Sequence, residues 1–222
     1  MASADAEAPD PDPDPDPEPE PDLDRDTAVA PSADVAGSAR LGPGTRIWHL
    51  AQIERGARLG RFCIVGRGAY VGPGVTVGDY VKLQNYALVY APAELESGVF
   101  VGPAAVLTND AHPRSVDVLG RPKTAAGWEP VGVRVKHGAS LGARCVCVAP
   151  LTIGRWAMVG AGAVVLADVP DFALVVGVPA RQVGWVGRSG FTLRRDGEQT
   201  WRCERSNERF FEQNGRLHEI LP

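Results

Sequence analysis

The chain has 222 residues, a formal net charge of −4 and 44% hydrophobic residues, enough for one sizeable core. It has no run of about eighteen apolar residues and no apolar segment after Met1, so neither a membrane span nor a secretion signal is expected. Its acidic residues crowd near the start; the remainder is near neutral or mildly basic, unlike a dedicated nucleic-acid binder with its strong basic patch.

Residues 1–26 contain "PDPDPDPDPEPEPDLD", in which Pro alternates with carboxylates. Such a segment cannot bury apolar surface, and Pro removes backbone donors, so a disordered, extended acidic arm is predicted. Four cysteines (Cys63, Cys145, Cys147 and Cys203) form no CxxC pair and read as free thiols of a reducing cytoplasm.

From Val29 the chain keeps a six-residue beat. Every sixth residue to Val101 is Val, Ile or Leu, thirteen in all. Four residues after each comes a second set, mostly small, from Ala33 to Ala105. A period of six fits neither an α-helix nor a heptad; it predicts a parallel β-helix of very short strands with one aliphatic residue per hexad turned inward. Gly follows the aliphatic residue at Gly42, Gly60, Gly66, Gly72, Gly78 and Gly102, where it is expected to supply backbone freedom. Cys63, Cys145 and Cys147 fall on inward positions, which assigns them to packing.

The beat breaks at "LTNDAHPRSVDVLGRPKTAAGWEP" (residues 107–130) and resumes with Val135, Leu141, Cys147, Ile153, Val159 and Val165. Leu107 and Val135 are 28 residues apart, not a multiple of six, so residues 108–130 must leave the helix as a loop and 131–134 lead back. After residue 170 the beat ends. Residues 171–222 read as a closing segment and a small C-terminal β tail, with hairpins at Asp196–Gly197 and Asn214–Gly215. The expected organisation is therefore all-β: an arm (1–26), a β-helix domain (27–170) with one long protruding loop (108–130), and the tail.

This repeat resembles the left-handed β-helix of the hexapeptide acyltransferases; the hand comes from that resemblance alone. "IWHLAQI", "VKLQNYALVY", "GVFVGPAAVLTND" and "VGVPARQVGWV" are similar to segments of bacterial N-acetyltransferases acting on nucleotide-linked amino sugars. The hexad identifies only the fold; "QNYALVY" with "TNDxxPR" is more specific. The resemblance covers roughly residues 28–190. It implies acetyl transfer from acetyl-CoA to the 3-amino group of a UDP- or dTDP-linked sugar. It also implies a homotrimer with the cosubstrate in grooves between subunits and the loop of one subunit reaching a neighbour's site. No metal, nucleic acid or membrane partner is expected, and the location expected is cytoplasmic.

An amine attacking a thioester must be neutral, held in line and offered donors for the developing oxyanion. His is the usual base. Of the four histidines, His112 lies in the loop and is the candidate base, with substrate contact as its other reading. His49, in the family's "WH", is a substrate-pocket or interface candidate; His137 and His218 read as surface residues. By the resemblance Asn85 faces the acceptor groove and orients the amine or the acetyl carbonyl; an Asn ladder within the helix is the plainer reading, and Gln84 shares it. Asn109 and Asp110 start the loop. Asp110 can take a proton, orient His112 or cap the turn. Arg114 can clamp a diphosphate or pair with a neighbour's carboxylate. For acetyl-CoA the resemblance points to "GVPAR", with Gly177, Pro179, Ala180 and Arg181 near the adenine end; Lys136 and Arg155 are weaker candidates. If no side chain serves as base, the departing thiolate takes the proton.

Transfer to a hydroxyl is the main alternative, and it demands a true base more strictly. A non-catalytic scaffold would not need the polar loop or the "QNY" corner. A γ-type carbonic anhydrase would need three zinc-binding histidines, and no closely spaced His pair occurs.

Overall fold

The computed structural model describes residues 26–124 and 127–220. The arm expected over residues 1–26 lies outside them, Asp26 excepted.

From Ala28 the chain climbs in coils of three two- or three-residue strands. Each strand pairs in parallel with the strand one coil on, as Ile47 does with Val65 and Ile53 with Val71. Three flat sheets result. Face A begins at Ala28–Val29, face B at Asp34–Val35 and face C at Arg40–Leu41. The edge between A and B is called the first edge here, and that between B and C the second.

The second residue of each two-residue strand of the coils points inward. From Ile47 onward the aliphatic set and the small set four residues later are buried, as the beat predicts. The first coil ends the stack, and there Val29 is 45% exposed. Thr45 occupies an inward position and is the single buried polar residue among those described. Its hydroxyl donates to Gly60 O at 2.8 Å and accepts the Cys63 N–H at 3.0 Å, so burial leaves no polar atom unsatisfied. All four cysteines are buried free thiols. A hydrogen bond with Cys145, together with burial, pushes the Cys147 thiol up, and burial does the same at Cys63; at these two positions packing suits the thiol, not reactivity.

The corners correct the reading of the glycines. Gly42, Gly60, Gly66, Gly78 and Gly102 do not carry positive φ. Instead a Cβ on Gly42 would lie 2.5 Å from the Gly60 carbonyl carbon, and one on Gly102 2.6 Å from the Ala143 nitrogen. These glycines allow close stacking of coils. Positive φ falls two residues later and is often borne by large residues: Leu50, Phe62, Tyr80, Tyr86, Arg144 and Trp156.

The loop leaves face B after Val106–Leu107 and rejoins face C at Val133–Val135, at the second edge. Val101 pairs with Leu141, 40 positions on where 18 is usual, so the loop adds 22 residues without disturbing the register. The helix also outlasts its beat. Ala173–Val176 adds a parallel strand to face A, with Val159 pairing Val175 after 16 residues instead of 18. This shortened coil hides the strand from a six-residue count.

The chain then doubles back, antiparallel, through Arg181–Trp185. A four-stranded antiparallel sheet follows, with the expected turns after Arg195 and at Asn214–Gly215. Phe210 meets Phe172 edge-on, at 5.1 Å between ring centroids, so the tail caps the open end of the helix core.

Candidate active site

One coil is 18 residues, so residues 18 apart stack along an edge. On the first edge this places His49, Arg67 and Asn85 in one column on successive coils, with Trp48, Gly66 and Gln84 one position before. With Ile64 these six line a cavity of about 340 Å³. Arg67 is its sole charged lining residue.

Asn85 is held from below. Its Oδ1 accepts the Arg67 N–H at 2.9 Å. Gly66 makes room: a Cβ there would lie 2.6 Å from both the Asn85 nitrogen and Oδ1. Asp79 receives the Arg61 N–H in the same way at 2.9 Å on another edge, so such corner bonds recur, although His49 and Arg67, not further asparagines, stack with Asn85. It occupies only the acceptor of Asn85; the NH₂ group keeps no protein partner among the described residues. The Nδ1 of His49 lies 2.8 Å from Ser32 Oγ, one coil below.

The loop candidates stand apart from this cavity within one chain, at the second edge. Asn109 anchors the loop: Nδ2 donates to Ala91 O at 2.9 Å, and its carbonyl accepts the Val131 N–H at 3.1 Å. Asp110 Oδ1 accepts the backbone N–H of His112 at 2.8 Å, which is the turn-capping reading; the His112 ring is exposed. Arg114 donates to Pro113 O, its own neighbour, at 2.8 Å. Beyond them Asp117 organises a tight turn, accepting from Leu119 N–H and Arg121 N–H and pairing with the Arg121 guanidinium at 2.7 Å.

Gly177, Pro179, Ala180 and Arg181 return to the first edge. They turn from face A onto Val164, which donates to Gly177 O at 3.0 Å and accepts the Ala180 N–H at 2.7 Å. Arg181 donates to Ala180 O at 2.9 Å and is exposed. Four coils separate this turn from Asn85, about 19 Å at the usual strand spacing. Along that stretch the edge carries mostly small residues, Gly102, Pro103 and Ala104, then Gly142 and Ala143 with the exposed Arg144, then Gly160, Ala161 and Gly162.

The other candidates lie elsewhere. His137 packs edge-on to Trp156, and its N–H donates to Glu96 at 2.8 Å. His218 and Lys136 line a cleft of about 440 Å³ under the tail with Arg216. The Arg155 N–H donates to Asp171, and another cleft of about 370 Å³ runs along face C by Glu94 and Arg134, which pair with each other at 3.0 Å. Neither cleft brings together an imidazole, a carboxamide and a guanidinium without carboxylates. Among the described residues no three His, Cys, Asp or Glu side chains are grouped to hold a metal. Reasoning from the sequence missed Arg67 and Ser32; adding one coil of 18 to His49 would have found the first.

The described residues form a three-faced parallel β-helix of six-residue repeats with a polar cavity on one edge. In sequence the chain is similar to acetyltransferases. It is 60% identical over 52 residues to dTDP-3-amino-3,6-dideoxy-alpha-D-galactopyranose 3-N-acetyltransferase of Aneurinibacillus thermoaerophilus, covering 23% of this chain and 27% of that protein. It is 37% identical over 92 residues to serine acetyltransferase of Salmonella typhimurium, covering 41% and 33%. The chain thus spans about a quarter to a third of the length of these two relatives. A solved Bacillus cereus structure shares the fold, with a TM-score of 0.50 at 19% identity, covering 71% of this chain and 81% of that one. No family model matches the chain.

Proposed function

We propose that this chain transfers acetyl from acetyl-CoA to the amino group of a nucleotide-linked 3-amino sugar. The observation that carries the reading is the first-edge cavity, where Asn85 offers an unpaired NH₂ beside His49, Arg67 and Gln84. The 60% identity with the dTDP-amino-sugar enzyme supports the acceptor class and favours dTDP over UDP.

The edge suits an extended cosubstrate. The turn at Gly177–Arg181 would hold the adenine end, the Gly/Ala stretch would pass the pantetheine arm, and the thioester would reach Asn85. The Asn85 NH₂ would donate to the thioester carbonyl as it becomes an oxyanion. Arg67 would meet a phosphate. Gln84 would contact the sugar.

A homotrimer completes the site. Beyond Asp34 and Gln52 in the first two coils, the outward residues of face B form an apolar row, Tyr70, Leu88, Val106, Val146 and Val164, whereas face C shows Arg40, Arg58, Thr76, Glu94 and Arg134. Face B lies between the first and second edges. Packing it against a neighbour would bring that neighbour's loop, with Asp110, His112 and Arg114, over the cavity. Among the described residues no helix is long and apolar enough to cross a membrane. The acetyl-CoA supply and the free thiols suit a cytoplasmic setting.

Transfer to a hydroxyl is the second reading, supported by the likeness to a serine acetyltransferase. One assay separates the two. Protein, acetyl-CoA and a panel of dTDP- and UDP-linked 3-amino sugars and their 3-hydroxy counterparts are mixed, and thiol release is followed. The amino sugars alone should release thiol and yield a hydroxylamine-resistant product. Silence with every amine would refute the reading.

A further inference from the structure

We propose that His49, held through Nδ1 by Ser32, accepts the proton of the attacking amine. This assignment rests on the acetyl-transfer reading above and adds to it the residue that handles the proton.

Within one chain the cavity lining leaves a single candidate. The Asn85 Oδ1 is occupied by the Arg67 N–H, and its NH₂ can only donate. The Arg67 guanidinium is permanently protonated, an amide such as Gln84 is no base, and the Trp48 indole only donates. His49 is the one lining group that can take a proton. A neighbour's loop would also bring His112 to the cavity, but there the Asp110 carboxylate caps a backbone N–H instead of orienting that ring, whereas His49 is oriented by Ser32.

Ser32 makes the assignment specific. With Oγ 2.8 Å from Nδ1, the hydroxyl can accept an Nδ1–H, which leaves the Nε2 lone pair for the substrate. Ser32 comes from the first coil, His49 from the second, Arg67 from the third, and Gln84 and Asn85 from the fourth. Arg67 is the only charged group that these coils present to the cavity. In the reaction the amine lone pair forms the C–N bond and an amine proton passes to Nε2. The C–S bond then breaks, and the departing thiolate recovers that proton from the imidazolium. Free coenzyme A and the amide are the products, and His49 ends neutral. Ser32 is a positioning residue; His49 is the catalytic one.

The test uses the full chain with acetyl-CoA and the amino sugar it turns over best. His49→Gly should lose at least about 10-fold in kcat/KM, and added imidazole should restore part of it. The same imidazole should restore no rate to His112→Gly. Ser32→Ala should lower kcat with KM little changed, and Ser32→Thr should recover it. Nitrogen NMR of the free protein should show the Nδ1–H tautomer at His49 in wild type and a tautomer mixture in Ser32→Ala. Wild-type kcat/KM in His49→Asn would overturn the assignment while leaving acetyl transfer standing, as would an Nε2–H tautomer at His49. Absence of turnover in the wild-type chain would overturn both.

Discussion

Asn85 carries two jobs on one side chain, and two substitutions separate them. Its Oδ1 accepts the Arg67 N–H at 2.9 Å, whereas its NH₂ is left for the reacting group. Asn85→Asp keeps the acceptor and removes the donor. Asp is already tolerated at this kind of corner, because Asp79 receives the Arg61 N–H at the same 2.9 Å. Asn85→Ala removes both. Losing one exposed neutral hydrogen bond costs about 0.5–1.5 kcal/mol. That is roughly 1–6 °C in Tm for a chain of this size. Losing a donor to the developing oxyanion costs about 100- to 1,000-fold in rate. Thermal unfolding and kcat/KM are then measured on the same preparations. Asn85→Ala should fall in both, Asn85→Asp in activity alone. An Asp variant with wild-type kcat/KM would show that the NH₂ is not used, and the Asn85 assignment would fail.

Two further outcomes follow from packing. Gly154→Ala places a Cβ 2.4 Å from the Asp171 nitrogen, a backbone atom that cannot move aside, and should cost about 1–3 kcal/mol. Gly74→Ala has positive φ of 69° but no atom within 4 Å, so it should cost only the left-handed penalty of about 1 kcal/mol; equal losses of Tm would refute the close-stacking account. Leu88→Glu puts a charge in the apolar row of face B. Light scattering should show a wild-type trimer and a dissociated variant with at least about 10-fold lower activity. A trimer that survives the change would mean that face B is not the contact.

The core was legible because inward burial repeats with the covalent period: Ile47, Ile53 and Leu59 announce themselves at every sixth position. The corners were not. Positive φ sits on Tyr80, Tyr86 and Trp156, which no propensity marks, while the glycines that do stand out serve close approach between coils. The strand Ala173–Val176 escaped because its coil is two residues short. The candidate site was legible as residues but not as an arrangement. His49, Gln84 and Asn85 share a cavity, while His112, Asp110, Asn109 and Arg114 stand at another edge of the same chain. Ser32 was invisible because its importance comes from a contact across 17 residues, a distance set by coil stacking and not by any local motif.

The most direct measurement is a crystal structure of the full chain with coenzyme A and a dTDP-linked 3-amino sugar. Coenzyme A should lie along the first edge, with its sulfur at Asn85 and the sugar amine within hydrogen-bond reach of His49 Nε2. A sugar amine bound away from the Asn85 cavity, on face C or under the C-terminal tail, would contradict this placement.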